Sequence, residues 1–158
     1  MVERSTKSVA VVMQRRETPN NRWQTQVWEL VGVLSESPGG SEPRRIVETD
    51  GRSQWLYPAL PVALHRDEAE GYYLNVSTND PRVFVLWRME EERAVPPYVT
   101  LSCAEASRWM DGGEQVDSAP MPPELYAWLG EYVEANYRSE PRQRIKPRSF
   151  MHPKDRLR

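Results

Sequence analysis

Cysteine and histidine are nearly missing from this 158-residue chain, which has one of the first, Cys103, and two of the second, His65 and His152. A lone cysteine excludes an intramolecular disulfide and any multi-cysteine metal site. Two histidines so far apart argue against a zinc or iron centre built on imidazoles, so neither metal nor cofactor is expected. Long apolar runs are absent too, and none approaches the ~20 residues that a membrane span needs. The apolar stretch after Lys7 is too brief for a signal peptide, and a soluble cytoplasmic protein is the expectation. Phosphate-cradling loops are also missing: neither Gly39-Gly40 nor Gly112-Gly113 has the spacing or the following lysine they require.

What remains is enough to build a core, with 39% apolar and 28% charged residues. A domain of about 150 residues buries about 70% of its unfolded surface, so one domain can fold without staples. The net charge of −2 conceals two unlike regions. Eight of the 21 Lys/Arg and two of the 23 acids fall between Arg138 and Arg158, which leaves 13 basic against 21 acidic residues in 1–137. The last segment also carries Pro141, Pro147 and Pro153 and few large apolar groups. Too little surface can be buried there to offset the ordering entropy. The expected organisation is a single domain over 1–137 and a basic tail over 138–158.

Hydrophobic periodicity supplies the elements. Ser8 to Arg16 reads as a strand apolar on both faces at its start, hence central in a sheet. After the turn signal Thr18-Pro19-Asn20-Asn21, a second strand over about Arg22 to Leu34 completes a hairpin. Arg45–Thr49 and Ser53–His65 flank Asp50-Gly51, and Pro58 and Pro61 should bend the latter strand or confine it to an edge. Further strands are read at Tyr72–Ser77, Arg82–Glu90 and Pro97–Leu101. Ser102 and Glu105 fit a capping box for a short helix stopped at Gly112-Gly113, with Ala106, Trp109 and Met110 facing in. Pro122-Pro123-Glu124 opens a longer one, whose Leu125, Trp128, Leu129, Tyr132 and Val133 form one stripe. Strands followed by helices predict α+β: an antiparallel meander or half-barrel of about seven strands, a short helix, a longer C-terminal amphipathic helix, then the tail.

No catalytic constellation emerges, and the chain is not expected to be an enzyme. Cys103 lies at a helix start, which should lower its pKa, but with no base near in sequence a buried small hydrophobe is its reading. His65 falls in a surface turn and Glu90-Glu91-Glu92 in a solvated one. Glu114 and Asp117 could meet a cation but make only a weak pair of loop acids. The arginine and tryptophan distribution says more. Arg15, Arg16, Arg22, Trp23 and Trp28 gather on the first hairpin, the composition of a protein-binding hot spot, although a cation–π pair serving the hairpin itself explains it equally well. Arg142, Arg144, Lys146, Arg148 and Phe150 of the tail are the second candidate contact set. The acidic balance of the body counts against nucleic acid. A rival reading has Trp55, Tyr57, Tyr72, Trp87 and Trp109 lining a pocket in a cofactor carrier or enzyme, with core packing as their ordinary explanation.

Val11-Val12-Met13-Gln14-Arg15-Arg16, Asn21-Arg22-Trp23-Gln24 and Trp28-Glu29-Leu30-Val31-Gly32-Val33 stand in an order that resembles the start of a small bacterial family known only as a domain of unknown function. The Ser102–Asp111 segment, Glu114-Gln115-Val116-Asp117, and Pro120-Met121-Pro122 before the Trp128 helix are similar to its later part. Members of that family are encoded beside molybdenum-dependent formate dehydrogenases and their maturation proteins. The resemblance therefore implies an accessory or assembly factor for a formate dehydrogenase, with its subunits or maturation proteins as partners. It carries no catalytic residue onto this chain.

Overall fold

Val9, Ala10, Val11, Val12 and Met13 are all buried, and a run this apolar on both parities suits a strand with neighbours on either side. The computed structural model, which describes residues 5–18, 26–36 and 40–138, places them so. Their strand, β1 (Thr6–Glu17), runs between β2 (Gln26–Leu34) and β4 (Arg52–Ala63), and β3 (Arg44–Thr49) completes an antiparallel sheet of order β2-β1-β4-β3. The hairpin predicted at β1 and β2 is therefore present, while its turn lies outside the described residues. Asp50-Gly51 turns β3 into β4, and Gly51 takes φ +78°, where a side chain would be strained.

A second antiparallel sheet follows after α1 (Ala69–Val76). It consists of β5 (Arg82–Glu90), β6 (Arg93–Thr100) and, after α2 (Cys103–Asp111), β7 (Gln115–Pro120), in the order β6-β5-β7. The last element among the described residues is α3 (Pro123–Asn136). Strand β4 lies beside β6 and β2 beside β7, so the two open sheets enclose a shared core. Val9, Val11 and Met13 meet Tyr57 and Val62, Val83 and Val85, and the Leu125, Leu129 and Val133 stripe of α3 in that core. The mixed α+β class stands, with seven strands among the described residues set in two sheets rather than in one meander.

Three local readings change and a fourth holds. Tyr72–Val76 is not strand but the end of α1, whose Ala69, Tyr72 and Val76 also satisfy a helical spacing. Its Asn75, buried among backbone groups, ties the helix to the second sheet. Asn75 Nδ2 donates to the carbonyls of Arg82 (2.8 Å) and Leu101 (2.8 Å), and its Oδ1 accepts from the Arg82 amide (3.0 Å). The seventh strand is β7, where loop acids were expected. β6 starts at Arg93, ahead of Pro96-Pro97, because an edge strand tolerates prolines. β4 is bent as expected: Val9 pairs with Leu60 and Val11 with Tyr57, leaving Pro58-Ala59 as a bulge with Ala59 at φ +62°. It is not a simple edge, however, since β3 pairs with it as far as Leu56.

The cap at α2 is half as drawn. Ser102 Oγ accepts from the Glu105 amide (3.1 Å), but the Glu105 carboxylate does not return to Ser102. Thr100 intervenes: its hydroxyl accepts from the Ser102 amide (3.1 Å) and donates to Glu105 (2.5 Å). Met110 does not face inward but is 50% exposed, and Trp109 is half-buried against Tyr98.

Candidate functional site

The alternation that buries Val9, Val11 and Met13 continues to Arg15 and puts a guanidinium on the inward face of β1 at the end of the sandwich. Trp28 of β2 and Ser53 of β4 are its direct cross-strand partners and therefore share that face. Arg15 Nη2 donates to Ser53 Oγ (2.9 Å), which donates to Glu48 of β3 (2.7 Å). One step toward the core, Met13 pairs with Trp55. The β5–β6 hairpin closes the other side with Arg93, whose guanidinium lies 4.3 Å from the centre of the Trp55 ring, within cation–π reach. Tyr57 fixes that hairpin by donating its hydroxyl to the Ala94 carbonyl (2.7 Å). Burial raises the Tyr57 pKa, and the nearby Arg93 charge partly offsets the rise.

Between these side chains is a groove of about 300 Å³ floored by Arg15, Trp28, Trp55 and Arg93 and lipped by Glu90, Glu91 and Glu92. Two features set it apart. The Nε atoms of Arg15 and Arg93 are buried without a hydrogen-bond partner among the described residues, and neither guanidinium is in an ion pair there. A half-buried guanidinium whose Nε has lost water without gaining a hydrogen bond is poorly solvated, so a counter-charge at its groove-facing part would be gained. The lip is also strained. Glu90 pairs with Arg93, which leaves Glu91 and Glu92 as a two-residue turn with φ of +52° and +69°. Such a turn ordinarily carries Asn-Gly, and glutamate is ill suited to it.

Of the residues singled out in sequence, the structure brings Arg15 and Trp28 together in this groove, with Trp55 from the rival pocket reading beside them. Arg16 points to the other face, where it pairs with Glu29 (3.1 Å) and is not part of the site. Arg22, Trp23, Arg142, Arg144, Lys146, Arg148 and Phe150 lie outside the described residues. Arg93 was missed altogether. Its signal was available: a Glu-Glu turn between two strands breaks the local rule, and such breaks concentrate at functional positions.

Other candidates resolve into structural roles. The Cys103 thiol donates to the Gly71 carbonyl (3.4 Å). Burial pushes its pKa up, so desolvation outweighs the helix start that was expected to lower it. Asp117 accepts from the Trp87 indole (3.0 Å) and Glu114 pairs with Arg88 (2.8 Å), and each acid is thus already engaged. Tyr57, Tyr72 and Trp87 pack in the core, while His65 is exposed. A shallower groove of about 520 Å³ runs between Ser5–Lys7 and α3, with Lys7 over the Trp128 ring (5.4 Å). Among the described residues no three His, Cys, Asp or Glu side chains are grouped to hold a metal ion. Nor is any described helix long and apolar enough to cross a membrane.

Comparison with curated proteins and with solved structures finds no match. A family model does match, over residues 8–146, and so takes in both the 35–44 loop and the first part of the basic segment beyond Tyr137. With nearly its whole length covered, the chain belongs to the family described as protein of unknown function (DUF3305).

Proposed function

We propose that the chain is a bacterial, cytoplasmic, non-catalytic accessory or assembly and maturation factor for a molybdenum-dependent formate dehydrogenase, acting by binding protein. Two supports of different kind meet in this reading. The choice of partner rests on the resemblance of the Asn21-Arg22-Trp23 and Trp28-to-Val33 stretches to a family encoded beside such enzymes. The mode of action rests on the groove, and one observation carries it: two half-buried arginines, without an ion pair among the described residues, line it together with two tryptophans. Arginine and tryptophan are the residues that dominate binding energy at protein interfaces, and they do so where they are partly desolvated before the partner arrives.

The test is affinity capture with the full chain from cells expressing the dehydrogenase. Wild-type protein is expected to recover formate dehydrogenase subunits or their maturation proteins, and a variant carrying both Arg15→Ala and Trp28→Ala to recover several-fold less. Arg16→Ala, on the opposite face, serves as the control and should recover as much as wild type. Wild-type protein that recovers neither enzyme nor maturation proteins would remove the formate dehydrogenase assignment.

A further inference from the structure

Which chemistry the groove accepts follows from how its charges are solvated, and the argument rests on the protein-binding reading above. Arg15 and Arg93 form its floor, Glu90, Glu91 and Glu92 its lip. The three glutamates are exposed, so water and salt screen them and a ligand adds little. The arginines are half-buried and keep donors shut away from solvent. Elsewhere Arg16, Arg82, Arg88 and Arg108 have each taken a carboxylate, from Glu29, Asp80, Glu114 and Glu68 respectively. Among the described residues Arg15 and Arg93 have not, although three carboxylates stand on the same groove. The larger unmet demand is for an anion, and a carboxylate matches the planar guanidinium best among protein groups.

We infer that the groove binds one carboxylate of a protein partner, an Asp or Glu side chain on an extended segment, between Arg15 and Arg93. The residues beside it lie on Trp28 and against the edge of Trp55, whose ring Arg93 and Arg45 already approach at 4.3 and 5.8 Å. The lip then selects the context of that carboxylate. A second acid next to it would be repelled by Glu90, Glu91 and Glu92, whereas a lysine or arginine there would be attracted. The segment recognised is an acid beside a base, not an acidic run. The strained turn agrees with this: two glutamates held at positive φ keep their carboxylates at the lip despite a conformational cost that Asn-Gly would avoid.

Three blocked peptides serve as probes: acetyl-Gly-Leu-Glu-Lys-Gly-amide, the same peptide with Gln for Glu, and the same peptide with Glu for Lys. Binding to the full chain is read from the indole NMR shifts of Trp28 and Trp55. The Glu-Lys peptide should bind, and the Gln-Lys and Glu-Glu peptides should each bind at least roughly tenfold more weakly. Arg15→Gln and Arg93→Gln should each abolish the preference for Glu over Gln, while Arg16→Gln keeps it. A variant with Glu91→Asn and Glu92→Gly has an opposite expected effect, raising affinity for the Glu-Glu peptide, and keeps the inference testable if an arginine variant fails to fold. Equal binding of the Glu-Lys and Gln-Lys peptides overturns the inference, as does no shift at roughly 5 mM of any probe. Peptide binding without recovery of formate dehydrogenase supports the carboxylate site and removes the assembly assignment. Recovery of the dehydrogenase by wild-type protein that binds no peptide does the reverse.

Discussion

A β-carbon at Gly71 would stand 2.1 Å from the hydroxyl oxygen of Ser102, well inside van der Waals contact. That oxygen has little freedom to retreat. It accepts from the Glu105 amide (3.1 Å) to cap α2 and donates to Glu68 (2.6 Å) beside α1, so the two helices touch through it. Gly71→Ala is expected to cost about 2–4 kcal/mol, combining an overpacked contact with a damaged cap. In a Ser102→Ala background the same substitution should cost clearly less, because the nearest atom is gone. Urea unfolding of the four proteins in the cycle measures the difference, and strictly additive costs would refute the contact.

Asn75 sits at 3% exposure and satisfies three backbone groups that no helix or ladder bond reaches. Asn75→Ala leaves them buried and unpaired. The expected loss is about 2–4 kcal/mol, or a fall in Tm of roughly 10 °C. Thermal unfolding checks it; a fall of a degree or two would mean that water replaces the side chain without penalty.

The Glu91-Glu92 turn predicts a gain in place of a loss. Replacement by Asn-Gly relieves two strained backbones, and stability should rise by about 1–2 kcal/mol in denaturant unfolding. An unchanged midpoint would mean that the turn relaxes at no expense.

The pairing of Arg16 with Glu29 makes stability sensitive to acid. Hydrogen bonding to Arg16 holds the Glu29 carboxyl below its ordinary value of 4.5, against a smaller effect of burial. A carboxyl whose folded pKa is depressed adds stability above its unfolded pKa and loses it as pH falls through the folded one. The contribution should therefore be intact at pH 6 to 7, decline as pH drops below 4.5, and shrink with added salt because the pair is partly exposed. Glu29→Gln should flatten that part of the stability profile, measured by urea unfolding from about pH 3 to 7. An unaltered slope would place the acid sensitivity in other carboxyls.

Much of this architecture is legible in one strand. The parity of β1 alone sends Val9, Val11, Met13 and Arg15 inward and Arg16 outward, and that separates the groove arginine from its surface neighbour. Arg93 could not be reached in the same way. It enters the site because a hairpin from the second sheet folds over Trp55, a juxtaposition made by tertiary packing rather than by spacing. The segment at Tyr72–Val76 misleads because its apolar residues suit period 2 and period 3.6 alike. In the fold it is helix, and the bare backbone at Gly71 lets that helix approach Ser102. β7 is hidden by its polar residues, since Asp117 is spent on the Trp87 indole and Ser118 on Arg82.

The strand order β2-β1-β4-β3 also sets a timetable. On a ribosome β1 can zip to β2 early, but its other edge waits for β4, whose residues pair as Arg16 with Arg52 and Thr6 with Ala63. At about 5–20 residues per second that wait lasts seconds, during which an apolar strand keeps a bare edge. β5 repeats the pattern, since Val83 must wait for Ala119. Each sheet thus closes only when its latest strand arrives, and until then its central strand has an unpaired edge open to mispairing.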